Sequence, residues 1–342
     1  MARILVTGYG GFLGREIVRQ LCEAGFSVRG FARQRYADLE QLGLEIVQGD
    51  ITNRAQVISA VSGCDAIVHT AAIAGVWGPW DKYYRINTAG TSHIVEAAVR
   101  HKVRGLVHTS SPSVTFAAVH QSGIDETSEY PQRWLCAYPH TKALAEQTVL
   151  DAARNGTVHA CALRPHLIWG YGDPHLFPRV IQRTRAGALK RVGNGKNLVD
   201  VVHVRNAARA HLLALQRLCD GDARVNSQAF FVTDGQPVEC WSWITRIIET
   251  AGLRVPTARI SYRLAFQIGA VLESCYRLAR VRSEPPMTRF VAAQLALDHY
   301  FSIDKARNLL GYAPEVDVDA EFQRCRPWLT QLANSRNQQI PT

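Results

Sequence analysis

What this 342-residue chain lacks narrows it quickly. Its eight cysteines (Cys22, Cys64, Cys136, Cys161, Cys219, Cys240, Cys275 and Cys325) include no C-x-x-C pair, and no histidines gather at metal-ligand spacing. That argues against a metal site or a disulfide scaffold and for reduced, mostly buried thiols in a cytoplasmic chain. No run approaches 18 uninterrupted apolar residues, so a membrane-spanning helix is not expected. A strand pattern begins at residue 3, which leaves no room for a signal peptide. Lys and Arg outnumber Asp and Glu by 39 to 29, a formal charge of +10. These cations form no long run and match no nucleic-acid module, so an anionic small ligand or membrane surface is a better partner than nucleic acid. There is no internal repeat or low-complexity stretch, and only the last eight or so residues read as a loose tail. At 47% hydrophobic and 20% charged, a chain of this length buries a real core as one large or two modest domains.

The general dinucleotide fingerprint G-x-G-x-x-G is also missing. Started at Gly8 and Gly10, it places Leu13 at the third glycine. Residues 6 to 14 read Val-Thr-Gly-Tyr-Gly-Gly-Phe-Leu-Gly, so Gly8, Gly11 and Gly14 fit G-x-x-G-x-x-G instead. The triplet follows an apolar, β-branched run over Arg3 to Thr7 and leads into helical spacing over Phe12 to Glu23, the strand, turn and helix that such a motif requires. Glycines let a backbone approach a pyrophosphate, and the helix N-terminus offers that anion free N–H groups. A tight turn with no ligand uses the same residues.

The pattern then repeats. Strands are predicted over Phe26 to Ala32, Leu44 to Gln48, Ala66 to Thr70, Gly105 to Thr109 and Val158 to Leu163, and helices over Ala55 to Val61, Tyr83 to His101 and Thr141 to Arg154. Such alternation predicts an α/β fold with a doubly wound parallel sheet of the Rossmann type. Two more strands, Leu198 to Val202 and Ala229 to Thr233, flank a helix over Ala207 to Leu218 and are assigned to the edge of the same sheet. Residues 1–166, with 197–233 returning, form the dinucleotide-binding domain on this reading. Residues 167–196 and 234–334 form a smaller, mostly helical C-terminal substrate lobe.

Ligands sit at the carboxyl ends of the strands in such sheets. Where an NAD-selective site carries an acidic residue for the ribose, the second strand here ends Gly30-Phe31-Ala32-Arg33. A cation there suits a 2′-phosphate, which favours NADP(H) while leaving NAD(H) open; Arg33 as an idle loop arginine, with Arg35 close by, is the other reading. Asp50 closes the third strand, where it can accept from an adenine amino group or cap the next helix. The fifth strand ends in His108-Thr-Ser-Ser-Pro-Ser113, and Tyr138-Pro-His-Thr-Lys142 follows at a helix start. Spacing of four puts Tyr138 and Lys142 on one helical face. An ammonium beside a phenol favours the phenolate, giving a proton donor and acceptor usable near neutral pH. A serine on the adjacent strand can stabilise charge on a substrate oxygen. Pro139 is tolerated if Tyr138 lies at the helix mouth.

In that order these residues resemble the extended short-chain dehydrogenase/reductase family, and within it the 3β-hydroxysteroid dehydrogenase-like group. The matching segments are Thr7 to Gly14, Asn87 to Thr91, Thr109 to Ser111, Tyr138 with Lys142, and Leu163-Arg-Pro165 with Gly170-Tyr-Gly-Asp173. The resemblance implies that Tyr138 is the acid/base, that Lys142 orients the nicotinamide ribose and tunes Tyr138, and that Ser111, with Ser110 and Ser113 as rivals, polarises the carbonyl. It implies a cofactor cradle of Gly8, Gly11, Phe12, Leu13, Gly14, Arg33, Asp50, Ile51, Ala71, Ala72, Asn87 and Pro165, and a homodimer paired through helices beside the sheet. Ala74 to Gly78, Asn197 to Asp200, His203 to Asn206, Ser283 to Arg289 and His299 to Ser302 are similar to bacterial 2-alkyl-3-oxoalkanoate reductases and to sterol-4α-carboxylate 3-dehydrogenases. Arg205 departs from the acidic residue common there.

The resulting expectation is an oxidoreductase acting between NADP(H) and C3 of a hydrophobic β-keto or β-hydroxy acid. A non-catalytic NADP(H) sensor and a nucleotide-sugar epimerase are the competing classes; the Tyr/Lys pair argues against the first. Trp77 and Trp80 either wall a pocket for a greasy substrate or simply pack. Residues 259–282 set Leu264, Ala265, Ile268, Val271, Leu272, Cys275 and Leu278 at helical spacing among Arg259, Arg263, Arg277, Arg280 and Arg282. The expected reading is a lobe helix with its apolar face in the core, and peripheral contact with an anionic membrane is the alternative.

Overall fold

The structure is a computed structural model that describes residues 1–335, so the expected C-terminal tail, apart from Ser335, lies outside the described residues. Seven parallel strands form the central sheet: β1 (Arg3–Thr7), β2 (Ser27–Ala32), β3 (Glu45–Gln48), β4 (Ala66–His69), β5 (Gly105–Thr109), β6 (Ala160–Pro165) and β7 (Ala229–Val232). They lie in the order β7-β6-β5-β4-β1-β2-β3, every pair parallel. The order reverses beside β1, so a crevice opens at the carboxyl ends of β1 and β4.

Strand alternation assigns the two faces. Ile4, Val6, Val68 and Val107 face α1 (Phe12–Glu23) together with a long helix at Val204–Cys219. Leu5, Ile67 and Leu106 face α2 (Arg54–Val61), α3 (Gly90–Arg100) and α4 (Ala137–Arg154). Ile17, Val18 and Leu21 of α1 are all but fully buried, and each contributes roughly 1.5–3 kcal/mol through burial. A separate aromatic cluster holds Trp169, Phe177, Trp243 and Phe322, with Trp169 and Phe322 stacked at 5.1 Å.

The structure corrects two expectations. Leu198 to Val202 does not join the main sheet. Leu198–Val199 pairs with Val238–Glu239 and with His299 in a four-stranded sheet, whereas Val202–His203 pairs with Ile168–Trp169. The cause is Asp200, buried between the two pieces, whose carboxylate accepts from the Phe301 N–H at 2.8 Å; the apolar run around it read as one strand. The helix predicted over 83–101 is interrupted by a π turn at Tyr84–Ala89. Such a turn widens the helix by one residue and often marks a functional site.

Candidate active site

The glycine turn answers its own question. Gly8 has φ +68°, and a Cβ there meets the Ala71 backbone at 3.0 Å. A Cβ on Gly14 falls 2.2 Å from the Gly8 carbonyl oxygen, so this glycine lets α1 pack on the turn. Gly10 lies under the Tyr36 ring. Gly11 differs, because a Cβ there meets only the Gly8 oxygen, at 3.2 Å. Three of the glycines are therefore required by the protein itself, and the face of Gly11 stays open. Gly11 caps α1 without a side-chain bond, and the first turn of α1 holds no acidic residue, which leaves the N–H groups of Phe12, Leu13 and Gly14 for an anion. Leu13 is itself core, 8% exposed.

Beside this turn, Arg33 is exposed at the end of β2 and makes no side-chain hydrogen bond or ion pair among the described residues, whereas Arg35 pairs with Glu40 at 3.1 Å. Of the two, Arg33 is the free cation. Asp50 does not cap α2; Asn53 does, accepting from the Gln56 N–H. One Asp50 oxygen instead accepts from the Thr52 N–H and hydroxyl at 2.8 and 2.9 Å. Burial opposes ionisation of Asp50, but the Thr52 bonds, with Arg33 and Arg85 nearby, hold its carboxyl below the usual range. Ile51 fills the space above Gly90, Ala71 donates to the Thr7 hydroxyl at 3.2 Å, Ala72 is exposed just past β4, and Pro165 ends β6, buried.

Tyr138 and Lys142 lie in the first turns of α4, which begins four residues earlier than predicted, at Ala137. Pro139 thus falls in the first turn, where its missing N–H costs no helical bond. The Ser111 hydroxyl lies beside the Tyr138 phenol and favours its ionisation, and Ser111 is 2.9 Å from the Ser113 hydroxyl. Ser110 is buried and faces the Glu146 carboxylate. Of the three serines, Ser111 is the one whose hydroxyl acts on the phenol. Lys142 is 2% exposed. It donates to the Thr109 carbonyl and approaches His108 Nε2 at 3.3 Å, and burial lowers its ammonium to about 8.

The expected lowering of the phenol by Lys142 is not found. Burial pushes Tyr138 above its ordinary value, with the nearby Ser111 hydroxyl working against that rise. The reason is geometric: the lysine arm turns to the end of β5 rather than to the phenol.

Asn87 sits in the π turn and clamps two elements. Its amide accepts from the Ile73 N–H at 2.8 Å and donates to the Ile73 carbonyl and the Thr141 hydroxyl at 3.1 and 3.2 Å. Beneath α4, Glu146 and Arg164 form a buried bidentate pair at 2.6 and 3.0 Å, with Tyr130 donating to the same carboxylate at 2.6 Å. That pair braces the helix on β6.

A cavity of about 390 Å³ opens at Cys136 and Ala137, the two residues before Tyr138, and is lined also by Trp77, Tyr83, Tyr276 and Arg277 among others. Trp77 stands edge-on to Tyr276 at 6.1 Å, with the Arg277 guanidinium 5.5 Å from its ring. Trp80 does not line it; it stacks on Tyr84 and meets His140. The 259–282 segment is helical over Tyr262–Leu278, here α5, and its apolar face is not in the core. Leu264, Ile268, Val271 and Leu278 are 50, 38, 62 and 89% exposed, and only Ala265, Gly269 and Glu273 are buried. Glu273, held by Arg289 at 2.7 to 3.0 Å, anchors this helix by its polar side.

Sequence reasoning missed His108, the Thr109 carbonyl, and Tyr83 and Cys136 on the cavity wall. No motif marks them; the available signal was a histidine inside the apolar run of β5. Among the described residues no cluster of His, Cys, Asp or Glu could hold a metal ion, and no helix is long and apolar enough to cross a membrane.

The open face of Gly11, the free N–H groups of α1, unpaired Arg33, and Lys142 with an N–H to spare fit a dinucleotide laid across the crevice. The sequence pattern of the 3-beta hydroxysteroid dehydrogenase/isomerase family matches residues 5–263. A 2-alkyl-3-oxoalkanoate reductase of Shewanella oneidensis is 44% identical over 332 residues, 95% of this chain and 86% of that protein. A 2-alkyl-3-oxoalkanoate reductase of Stenotrophomonas maltophilia is 40% identical, covering 95% of this chain and 98% of that one. Among solved structures, MoeE5 in complex with UDP-glucose and NAD has a TM-score of 0.73 at 25% identity, covering 96% of this chain and 99% of that chain.

Proposed function

This chain belongs to the 3-beta hydroxysteroid dehydrogenase/isomerase family and is an NAD(P)-dependent oxidoreductase, and on that premise we propose that it reduces the 3-ketone of a hydrophobic 2-alkyl-3-oxo acid with NADPH. The observation that carries the reading is the Ser111 hydroxyl set beside the buried Tyr138 phenol, one helical turn before Lys142, where Cys136 and Ala137 line a mostly apolar cavity.

The cofactor, when bound, supplies the hydride. The chain's own residues do the rest. Ser111 polarises the ketone by donating to its oxygen while the Ser113 hydroxyl supports it. Tyr138, whose phenol keeps its proton in its buried setting, gives that proton to the oxygen as negative charge develops there. A phenol that holds its proton is the form that reduction requires. Lys142, cationic below about pH 8, is available to bind the cofactor ribose through its third N–H. Arg33 supports the choice of a 2′-phosphate. Trp77, Tyr276 and Val281 would enclose an alkyl chain.

The exposed stripe of α5 supports one further element. Arg280, Val281 and Arg282, beginning two residues beyond Leu278, line the cavity. An anionic membrane surface is the partner that this pairing of apolar and cationic residues fits.

The test is a cofactor-dependent assay with 2-alkyl-3-oxo acids set against 4-carboxysterols, NADPH and NADH compared. Tyr138→Phe should remove turnover and leave cofactor binding nearly intact. Turnover within about tenfold of wild type would refute the assignment. A preference for the sterol would move the substrate to the sterol-4α-carboxylate class.

A further inference from the structure

Neighbouring strands set a polar row across the sheet beneath the crevice. Thr7, His69 and His108 are in register on β1, β4 and β5, and all three face α3 and α4. The proton positions in this row follow from valence. The Thr91 hydroxyl donates to the Asn87 carbonyl at 2.6 Å, so it must accept from His69 Nε2, 2.9 Å away. His69 therefore carries its proton on Nε2, and its Nδ1 accepts from the Thr7 hydroxyl at 2.7 Å. Both ring nitrogens of His69 are satisfied, so this ring, 5.2 Å from that of His108, offers no proton path to it.

His108 is different. The group at its Nε2 is the Lys142 ammonium, which has donors only. Nε2 must accept, and Nδ1 must hold the proton. That Nδ1–H is buried without a partner among the described residues, in a residue 1% exposed. A leucine in this place would bury no orphan donor, so packing alone does not account for the histidine.

We propose that His108 is a positioning residue for Lys142: a neutral imidazole lone pair that, with the Thr109 carbonyl, holds two of the three ammonium N–H groups and leaves the third for the cofactor ribose. The proposal rests on the reading of the site as an NADP(H) oxidoreductase. The titratable groups around it are few. Glu146 lies on the same helix as Lys142 but is engaged by Arg164 on β6; Tyr138 lies one turn earlier; His69 on β4 and His211 on the Val204–Cys219 helix flank His108. Burial drives all three histidines well below their ordinary range. No second cation competes, and a neutral acceptor in this place favours the charged lysine.

The test reads NADPH affinity against pH by fluorescence titration, without substrate, so it does not depend on knowing the ketone. In the wild type, affinity should fall as pH rises through the Lys142 titration near 8. In His108→Leu the midpoint should move down by about one pH unit, so that affinity near pH 8 drops by up to ~10-fold, with no loss in thermal stability. His108→Gln, whose amide oxygen reaches the Nε2 position, should keep the wild-type midpoint. His108→Asn, whose amide stops at Nδ1, should behave like leucine. If the leucine variant does not fold, the Gln and Asn pair decides. A midpoint indifferent to residue 108, or Gln matching Asn, overturns this role alone. A wild type that binds neither NADPH nor NADH overturns the proposed function and this role with it.

Discussion

Lys142→Met separates the stability of this protein from its chemistry. The ammonium is 2% exposed and titrates near 8 in the native state, against about 10.4 in an unfolded chain. A lysine with a depressed native value destabilises the fold wherever it is charged in both states, below pH 8. Above that, the native state loses its proton first, and the unfolded state binds more protons, so stability rises with pH. The penalty is about 3 kcal/mol at pH 7 and falls to under about 1 kcal/mol at pH 10. Urea unfolding of wild type and Lys142→Met at pH 7 and pH 10 gives the difference directly, with every other titrating group cancelling. The wild type should gain about 2.5 kcal/mol relative to the variant over that range. Methionine leaves the Thr109 carbonyl and His108 Nε2 without a donor, a loss that shifts both points equally and drops out of the difference. Turnover should vanish in the variant. A gap between the two proteins that stays constant from pH 7 to pH 10 would show that the lysine is not strained by its burial, and the reasoning from burial to charge would fail.

Other expectations follow from the same geometry. Gly14→Ala drives a Cβ to 2.2 Å from the Gly8 oxygen and should destabilise the fold by about 1–3 kcal/mol or more. Gly11→Ala should cost under about 1 kcal/mol yet weaken NADPH and NADH alike, as calorimetric titration of both variants will show. Arg33→Ala should reduce NADPH affinity by roughly 10- to 100-fold, with NADH unaffected, while Arg35→Ala, removed from its Glu40 pair, should change neither; equal loss for both cofactors would place the 2′-phosphate elsewhere. Val271→Glu with Leu278→Glu should abolish flotation with phosphatidylglycerol vesicles and leave turnover of a short, water-soluble 3-oxo acid intact. A wild type that fails to float would remove the membrane contact from the reading.

The alternation of strand and helix, the glycine turn and the Tyr138/Lys142 pair were legible in one dimension because each is a local device. A period of two or 3.6 is set by neighbours in sequence, and a spacing of four fixes a helical face whatever packs against it. The later strands were harder. Leu198 to Val202 has the composition of an edge strand, and only a buried carboxylate at Asp200, bonded to a strand a hundred residues away, shows that it breaks in two. Residues 259–282 have an apolar stripe that local pattern assigns to a core; the fold instead ties down the opposite, polar side through Glu273 and Arg289, and the stripe faces outward.

The electrostatics of the candidate site belonged wholly to the tertiary structure. The sequence by itself determined which groups can exchange a proton and in what order they occur along the chain. It did not determine that Lys142 turns to the end of β5, that His108 meets it there, or that the Tyr138 phenol is raised rather than lowered. Those outcomes depend on burial and on partners separated by about thirty residues in the chain. A charge responds to whatever lies within a few ångströms of it, and only folding decides what that is.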